Sequence, residues 1–351
     1  MLRLGFSTFV FVLFVNFAPA QTRSKPDELE KRVDKALAFL ARVQQSDGSW
    51  KLNLPKHPAA TSLAVMAFLS AGHVPGEGPY GEVIEKGVRW VLKIQRRDGL
   101  LATTGHEMYQ HGISTLMLAE VSGMVDKKLQ PKVKMALEKA VKLILRAQRK
   151  YGEPKGGWRY QITGSDSDMS VTGWQLLALR SAKNLGCDVP AERIKMAIDY
   201  ILRSKTSSGG FSYRPNDRRH TIPCTGTGIL CLELCHKHHA EESLRAGSLL
   251  LRNPPNWNQP YAFYNFYYSS QATFQLGGNY WTYFRPRLHK LLFANQNNNG
   301  AWLNGRNYYG PVYATSMCVL ALTVEYRYLP IYQRGNDSGK QDDSNGERKG
   351  R

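Results

Sequence analysis

The amino-acid sequence predicts an all-α protein: six helical hairpins, twelve helices in all, closed into an α6/α6 toroid with an inner and an outer ring. Two observations predict it. A turn motif, in which a helical run ends in Gln and is followed by Gly and an aromatic, recurs at intervals of about 50 residues, the signature of an array of supersecondary units. The helices flanking that motif also alternate in character, amphipathic before it and apolar or small all round after it, and a helix without a polar face must be covered on every side.

In chain order the motif reads QQSDGSW at 44–50, IQRRDGLL at 94–101 without the aromatic, Gln148 followed by Gly156-Gly157-Trp158, then Gly209-Gly210-Phe211, an isolated Trp257, and NQNNNGAW at 295–302. Trp50, Leu100, Trp158, Phe211, Trp257 and Trp302 mark the six units. Glycine supplies backbone freedom for the turn, and Gln and Trp can tie neighbouring hairpins by hydrogen bonding and packing, so the markers read as structural. Before the first marker, Leu29, Val33, Leu37 and Leu40 fall on one helical stripe, with Lys31, Asp34 and Lys35 on other faces. After each marker comes an apolar or small run, at 61–69, 112–119, 171–179, 225–234, 269–276 and 314–322. These runs form the inner ring, and the amphipathic helices sheathe them.

The chain ends differ from this body. Arg3, the apolar stretch at 5–17 and Ala18-Pro19-Ala20 have the order of a secretory signal over 1–20, which implies a secreted or periplasmic protein. The stretch is shorter than the roughly 20 residues of a membrane-spanning helix. Residues 21–333 make one toroid domain, and 334–351, rich in Gly, Asp, Ser, Asn, Lys and Arg, form a disordered polar tail. The net charge of +19 favours anionic partners, and peripheral contact with an anionic membrane or glycan fits it. Lys and Arg are spread along helices and not interleaved with aromatics, which together with export argues against nucleic acid. Five cysteines are too few for a disulfide scaffold; Cys224, Cys231 and Cys235 share one helical stripe as small buried residues. No cofactor is implied, and the oligomeric state is not set by the sequence.

If every marker turn leads into an inner helix, all six inner N-termini lie at one end of the barrel. The segments that converge there carry Lys56, His57 and Thr61; His106, Tyr109 and His111; Asp166, Asp168 and Thr172; Asp217, Arg218, His220 and Cys224; Tyr264, Tyr267, Tyr268 and Gln271; and Tyr308, Tyr309 and Tyr313. Titratable and aromatic side chains gather at these segments while later turns are apolar, which points to a pocket. His106, Tyr109, His111, Asp217, His220, Tyr264, Tyr268, Tyr309 and Tyr313 are the candidate substrate-binding residues. Asp217, His220 and Cys224 have the chemistry of a metal set, but Thr221-Ile222-Pro223 interrupts their helical face, so no metal site is assigned. His106 and His111 are five apart, where a zinc helix needs four. The cluster at 235–239 closes an inner helix, where cationic side chains favour the C-terminal dipole.

The repeat pattern, QQSDGSW and NQNNNGAW above all, resembles the prenyltransferase and squalene-oxidase repeat of terpenoid cyclases and protein prenyltransferases, over about 27–330. The resemblance implies an isoprenoid or other lipid ligand. It also implies that Asp168, in Asp166-Ser167-Asp168-Met169, matches the proton-donating middle Asp of squalene-hopene-type cyclases, with Asp166 beside it; here Met169 stands where that motif has a third acid. Ser165, Asp166 and Asp168 are equally good N-cap residues for a helix starting near Met169. Three functions stay open: an isoprenoid cyclase with Asp168 as acid, a carbohydrate-active hydrolase or lyase using Asp166, Asp168 and Asp217, and a non-catalytic binding or scaffold toroid.

Overall fold

A computed structural model describes residues 27–53, 57–103, 105–235 and 237–333. The expected signal at 1–20, the tail at 334–351 and Lys56 lie outside the described residues. Twelve α-helices alternate between two rings. The outer ring holds α1 (Glu28–Arg42), α3 (Gly81–Ile94), α5 (Gln130–Ala147), α7 (Ala191–Arg203), α9 (Glu241–Arg252) and α11 (Gly278–Ala294). The inner ring holds α2 (Pro58–Ser70), α4 (Glu107–Val121), α6 (Met169–Asn184), α8 (Ile222–Leu234), α10 (Ala262–Leu276) and α12 (Pro311–Leu322). Each inner helix packs on the next, and α12 packs on α2, so the ring is closed. Every residue of α2 is buried, whereas α1 buries only its Leu29, Val33, Ala36, Leu37, Phe39 and Leu40 face, as the sequence pattern requires.

The recurring motif is the joint that holds neighbouring hairpins together. Gln44 Nε2 donates to Gly48 O in its own turn and to Val83 O on the next outer helix. Gln95 repeats this with Gly99 and Ala136, Gln148 with Gly156 and Arg193, and Gln296 closes the circle by reaching Gly300 and Arg32 on α1. The turn glycines sit at φ near +90°, and a Cβ at Gly156 or Gly300 would collide with a carbonyl of the adjacent outer helix, Met196 or Lys35. The following aromatic is fully buried; Trp50, Trp158 and Trp302 each donate an indole N–H to a carbonyl of the preceding outer helix, Leu40, Ile144 and Leu292.

A threonine on the following inner helix accepts the marker's backbone N–H, Thr61 for Trp50, Thr172 for Trp158, Thr225 for Phe211 and Thr315 for Trp302. The second unit corrects the sequence reading in two places. Its marker is Leu101, not Leu100, because Leu101, like Trp50, stands two residues after the turn glycine and donates its N–H to the following inner helix, where the acceptor is His111 Nδ1.

The end of the barrel remote from the inner-helix N-termini is closed by the chain after α12. Short 3-10 turns at Val324–Tyr326 and Pro330–Tyr332 fold back so that Ile331 N donates to Glu120 Oε2 at 3.0 Å and Tyr332 hydrogen-bonds Tyr267. Glu120 also accepts from Ser181 Oγ at 2.5 Å. Burial raises its carboxyl pKa from 4.5 to about 7, against the lowering effect of those two bonds. The folded state therefore holds an extra proton between about pH 4.5 and 7, so this stabilising contribution is full below that window and lost as pH rises through it. Glu120→Gln is expected to raise stability at pH 8 by on the order of 2–3 kcal/mol and to change little at pH 4.5. Thermal melts at the two pH values check this, and an equal effect at both would exclude Glu120 as the titrating group.

Candidate functional site

The segments that precede the inner helices are stitched into one continuous rim. Met108 N, at the start of α4, donates to Tyr160 O before α6 at 2.9 Å, and Met169 N donates to Tyr213 O before α8 at 2.9 Å. Asn304 Nδ2 bonds Trp257 O at 2.8 Å, and Asn53 N bonds Tyr309 O at 3.2 Å. Thr227 and Tyr264 hydroxyls link α8 to α10 at 3.1 Å. His106 and Tyr261, each just before an inner helix, adopt left-handed backbone at φ 42° and 56°, which non-glycine residues rarely do and which concentrates at functional sites.

Arg159 is the electrostatic centre of this rim, and the sequence reading missed it. Its Nη1 donates to Asp168 Oδ2 and to the Tyr213 hydroxyl, both at 2.6 Å, while Nε donates to Asp166 Oδ2 at 3.0 Å. Its guanidinium lies 4.1 Å from the Tyr160 ring centroid, and the Tyr160 and Tyr213 hydroxyls share a 2.7 Å hydrogen bond. Burial first, and the Asp168 charge second, hold the Tyr213 phenol protonated far above its usual range. The loop that carries these groups is itself ordered by Arg149, which donates to the carbonyls of Ala147, Gln161, Ile162 and Asp166. A lone arginine in a loop carries no periodicity or motif, so only the fold reveals that it meets two aspartates and two tyrosines.

Asp168 caps α6. Its Oδ1 accepts from Val171 N at 3.0 Å and from Ser170 Oγ at 2.6 Å, its Oδ2 accepts from Arg159, and the residue is fully buried. Asp166 is half-exposed, between Arg159 and, at 3.6 Å, Arg214. The two carboxylates meet on one arginine and do not face each other across a cleft.

Several candidate ligand contacts are placed otherwise than expected. His111 is fully buried behind the rim, with Nδ1 accepting from Leu101 N and Nε2 facing Ala140 O, and burial lowers its pKa to about 4, so it is a neutral structural imidazole. Asp217 is spent on its own turn, accepting from Arg214 N at 3.0 Å, and His220 bonds Ser208 Oγ at 2.6 Å. Burial pushes the Cys224 thiol to about 12. Asp217, His220 and Cys224 do not converge, and no group of three or more His, Cys, Asp or Glu suited to a metal occurs among the described residues.

Tyr268 does not face open space. Trp174 of α6 stacks on Tyr267 of α10 at 5.3 Å between centroids, and Tyr268 packs edge-on to both at 5.4 and 4.8 Å. Helices α6 and α10 are separated by α8, so this trio fills the space along the barrel axis; all three rings are at most 1% exposed. What remains open is the rim itself. Tyr109 and Tyr313 are half-buried, Tyr309 is 38% exposed, and Tyr308 and Tyr261 are exposed at 69% and 74%. Tyr309 packs on both Tyr308 and Tyr313, and His106 lies 4.3 Å from Tyr160 between centroids. Neighbouring His57 has a pKa lowered to about 4, by burial first and His106 second, so it enters the rim uncharged.

No family model matches the chain. One stretch of 151 residues is 28% identical to lanosterol synthase erg7A of Aspergillus fumigatus, covering 42% of this chain and 19% of that protein, so the chain spans about a fifth of the relative's length. Among solved structures it is similar to a variant of the type II terpene cyclase MstE of Scytonema in complex with geranylgeranyl dihydroxybenzoate, at TM-score 0.54 and 15% identity, covering 84% of this chain and 96% of that one. It is also similar to an inactive variant of the GH76A α-1,6-mannanase of Salegentibacter in complex with α-1,6-mannotriose, at TM-score 0.64 and 10% identity, covering 84% and 98%. The fold is a terpenoid-cyclase-like α/α toroid, an architecture shared with glycoside hydrolases.

Proposed function

We propose that this chain is a non-catalytic binding toroid that presents the tyrosine-lined rim at its inner-helix N-termini to an oligosaccharide. The observation that carries this reading is the filled axis. An isoprenoid cyclase needs an enclosed apolar chamber with an acid aimed into it. Here Trp174, Tyr267 and Tyr268 occupy that space, and Asp168 is committed to a helix cap and to Arg159. A glycosidase needs two carboxyl groups flanking the scissile bond, and Asp166, Asp168 and Asp217 supply no such pair. Exposed tyrosine rings offer flat faces for sugar rings and hydroxyls for their polar edges. Export, which the first residues suggest, would bring the rim to extracellular glycans.

A second reading keeps an isoprenoid as ligand. It is favoured by the 151-residue likeness and by the apolar faces of Tyr109, Tyr264 and Tyr313 on the inner side of the rim.

Titration of the intrinsic fluorescence with oligosaccharides and with a dispersed polyprenyl alcohol separates the two. Oligosaccharide binding is expected, weakened about tenfold or more by Tyr309→Ala, with the thermal melt unchanged because Tyr309 is exposed. Binding of the polyprenyl alcohol alone would select the second reading. Turnover of an isoprenoid that Asp168→Asn abolishes would overturn the non-catalytic one.

A further inference from the structure

We propose that the groove between the outer helices α3 and α5, on the outer face of the ring, is a docking surface for a membrane containing anionic phospholipid. The groove encloses about 470 Å³, and its walls carry Arg89, Lys93, Arg96, Arg97, Lys132 and Lys139 with no carboxylate among the lining residues. Its apolar lining is Leu92, Leu129 and Ala136 together with Met135, which is 53% exposed although it lies among the lysines of α5. On α5 the residues Lys132, Met135, Lys139 and Lys142 recur at spacings of three and four, so the cations and the methionine share one stripe.

Elsewhere on the outer ring some cations are paired, Arg32 with Glu28 and Lys195 with Asp199, while others, Lys31 and Arg252 among them, have no ion pair among the described residues. In the groove Arg89 and Arg96 have partners in Glu85 and Asp98, but Lys93, Arg97, Lys132 and Lys139 make no ion pair among the described residues. Unpaired cations on both walls concentrate positive potential over an apolar lining, and the complementary surface is one that presents phosphate with hydrocarbon just beneath it. A soluble polyanion would satisfy the lysines and leave Met135 and Leu92 uncovered. Single-stranded nucleic acid would call for aromatic stacking platforms, and none lines the groove; the phosphates of a duplex, like any soluble polyanion, would leave its apolar residues uncovered.

Co-flotation of the full chain with vesicles tests this. Binding is expected to vesicles of phosphatidylcholine with about one-third phosphatidylserine and not to phosphatidylcholine alone, and to fall as salt rises. Lys132→Glu with Lys139→Glu is expected to weaken it more than tenfold, from about fivefold per neutralised cation. Lys31→Glu with Arg252→Glu, the same charge change at exposed positions outside the groove, should leave most binding intact. Met135→Gln, which removes the apolar contact without changing charge, should weaken vesicle binding but not retention on a sulfated polysaccharide. Equal losses in the two charge-reversal pairs would reduce the effect to net charge, and a Met135→Gln variant that floats like the native chain would make the groove a polyanion site. Either result, or no binding to the anionic vesicles by the native chain, overturns the proposal. Thermal melts of each variant confirm that it folds.

Discussion

Trp302→Ala is expected to cost about 3–5 kcal/mol, the range for emptying a fully buried aromatic site. Trp302 is completely buried, its indole donates to Leu292 O at 2.8 Å and its backbone N–H to Thr315 at 3.1 Å. Its position sharpens the loss. The turn that precedes it carries Gln296, which bonds Arg32 O and so joins the last hairpin to the first helix, and Gly300, which lies against Lys35 O. A toroid without that seam is an open array with two exposed ends, and each end must be capped to be soluble. Trp257 provides the comparison: it is only half-buried, follows no Gly turn and donates no indole bond to a preceding outer helix, so Trp257→Ala should cost about 1–2 kcal/mol. Urea unfolding midpoints of the two variants measure the difference. Equal midpoints would show that the seam carries no special weight.

The sequence makes the ring legible because its joints are local and repeated. Gln44, Gly48 and Trp50 act within seven residues, so selection of one hairpin geometry leaves the same letters in several units. The inner helices are legible for a different reason. Their burial on every face removes polar periodicity, and that absence is itself a pattern. The second unit shows where this logic stops: once the tryptophan is replaced by Leu101, the acceptor changes from a threonine to His111, and a histidine near a barrel mouth looks like a ligand group until its two nitrogens are seen to be occupied. The site is less legible still. Arg159 meets Tyr213 across 54 positions of chain, and Trp174 of α6 meets Tyr267 of α10 past the intervening α8, contacts that no local spacing encodes. The filled axis therefore emerges only from the three-dimensional arrangement, although each aromatic was in view.

Asp168→Asn is expected to destabilise the fold by about 2–4 kcal/mol, a little under the cost of breaking a fully buried ion pair, because the Arg159 side chain keeps 18% exposure. Asparagine retains an oxygen for the Val171 N–H, so the cap survives and the loss is chiefly electrostatic. The guanidinium would then be left with half-exposed Asp166 and the Tyr213 hydroxyl. Asp168→Ala removes the cap as well and should cost about 1 kcal/mol more. Arg159→Met should recover part of the Asp168→Asn loss in the double variant, because both charges then leave together, and the cycle of four proteins gives the coupling directly. Urea unfolding of all four measures it. A residue that served as a proton donor would behave in the opposite way: its amide variant would lose turnover while the melt stayed in place, since a donor aimed at a ligand has no partner in the empty protein to lose. A native-like melt for Asp168→Asn would remove the structural assignment and return Asp168 to the chemistry that its neighbourhood suggested in the sequence.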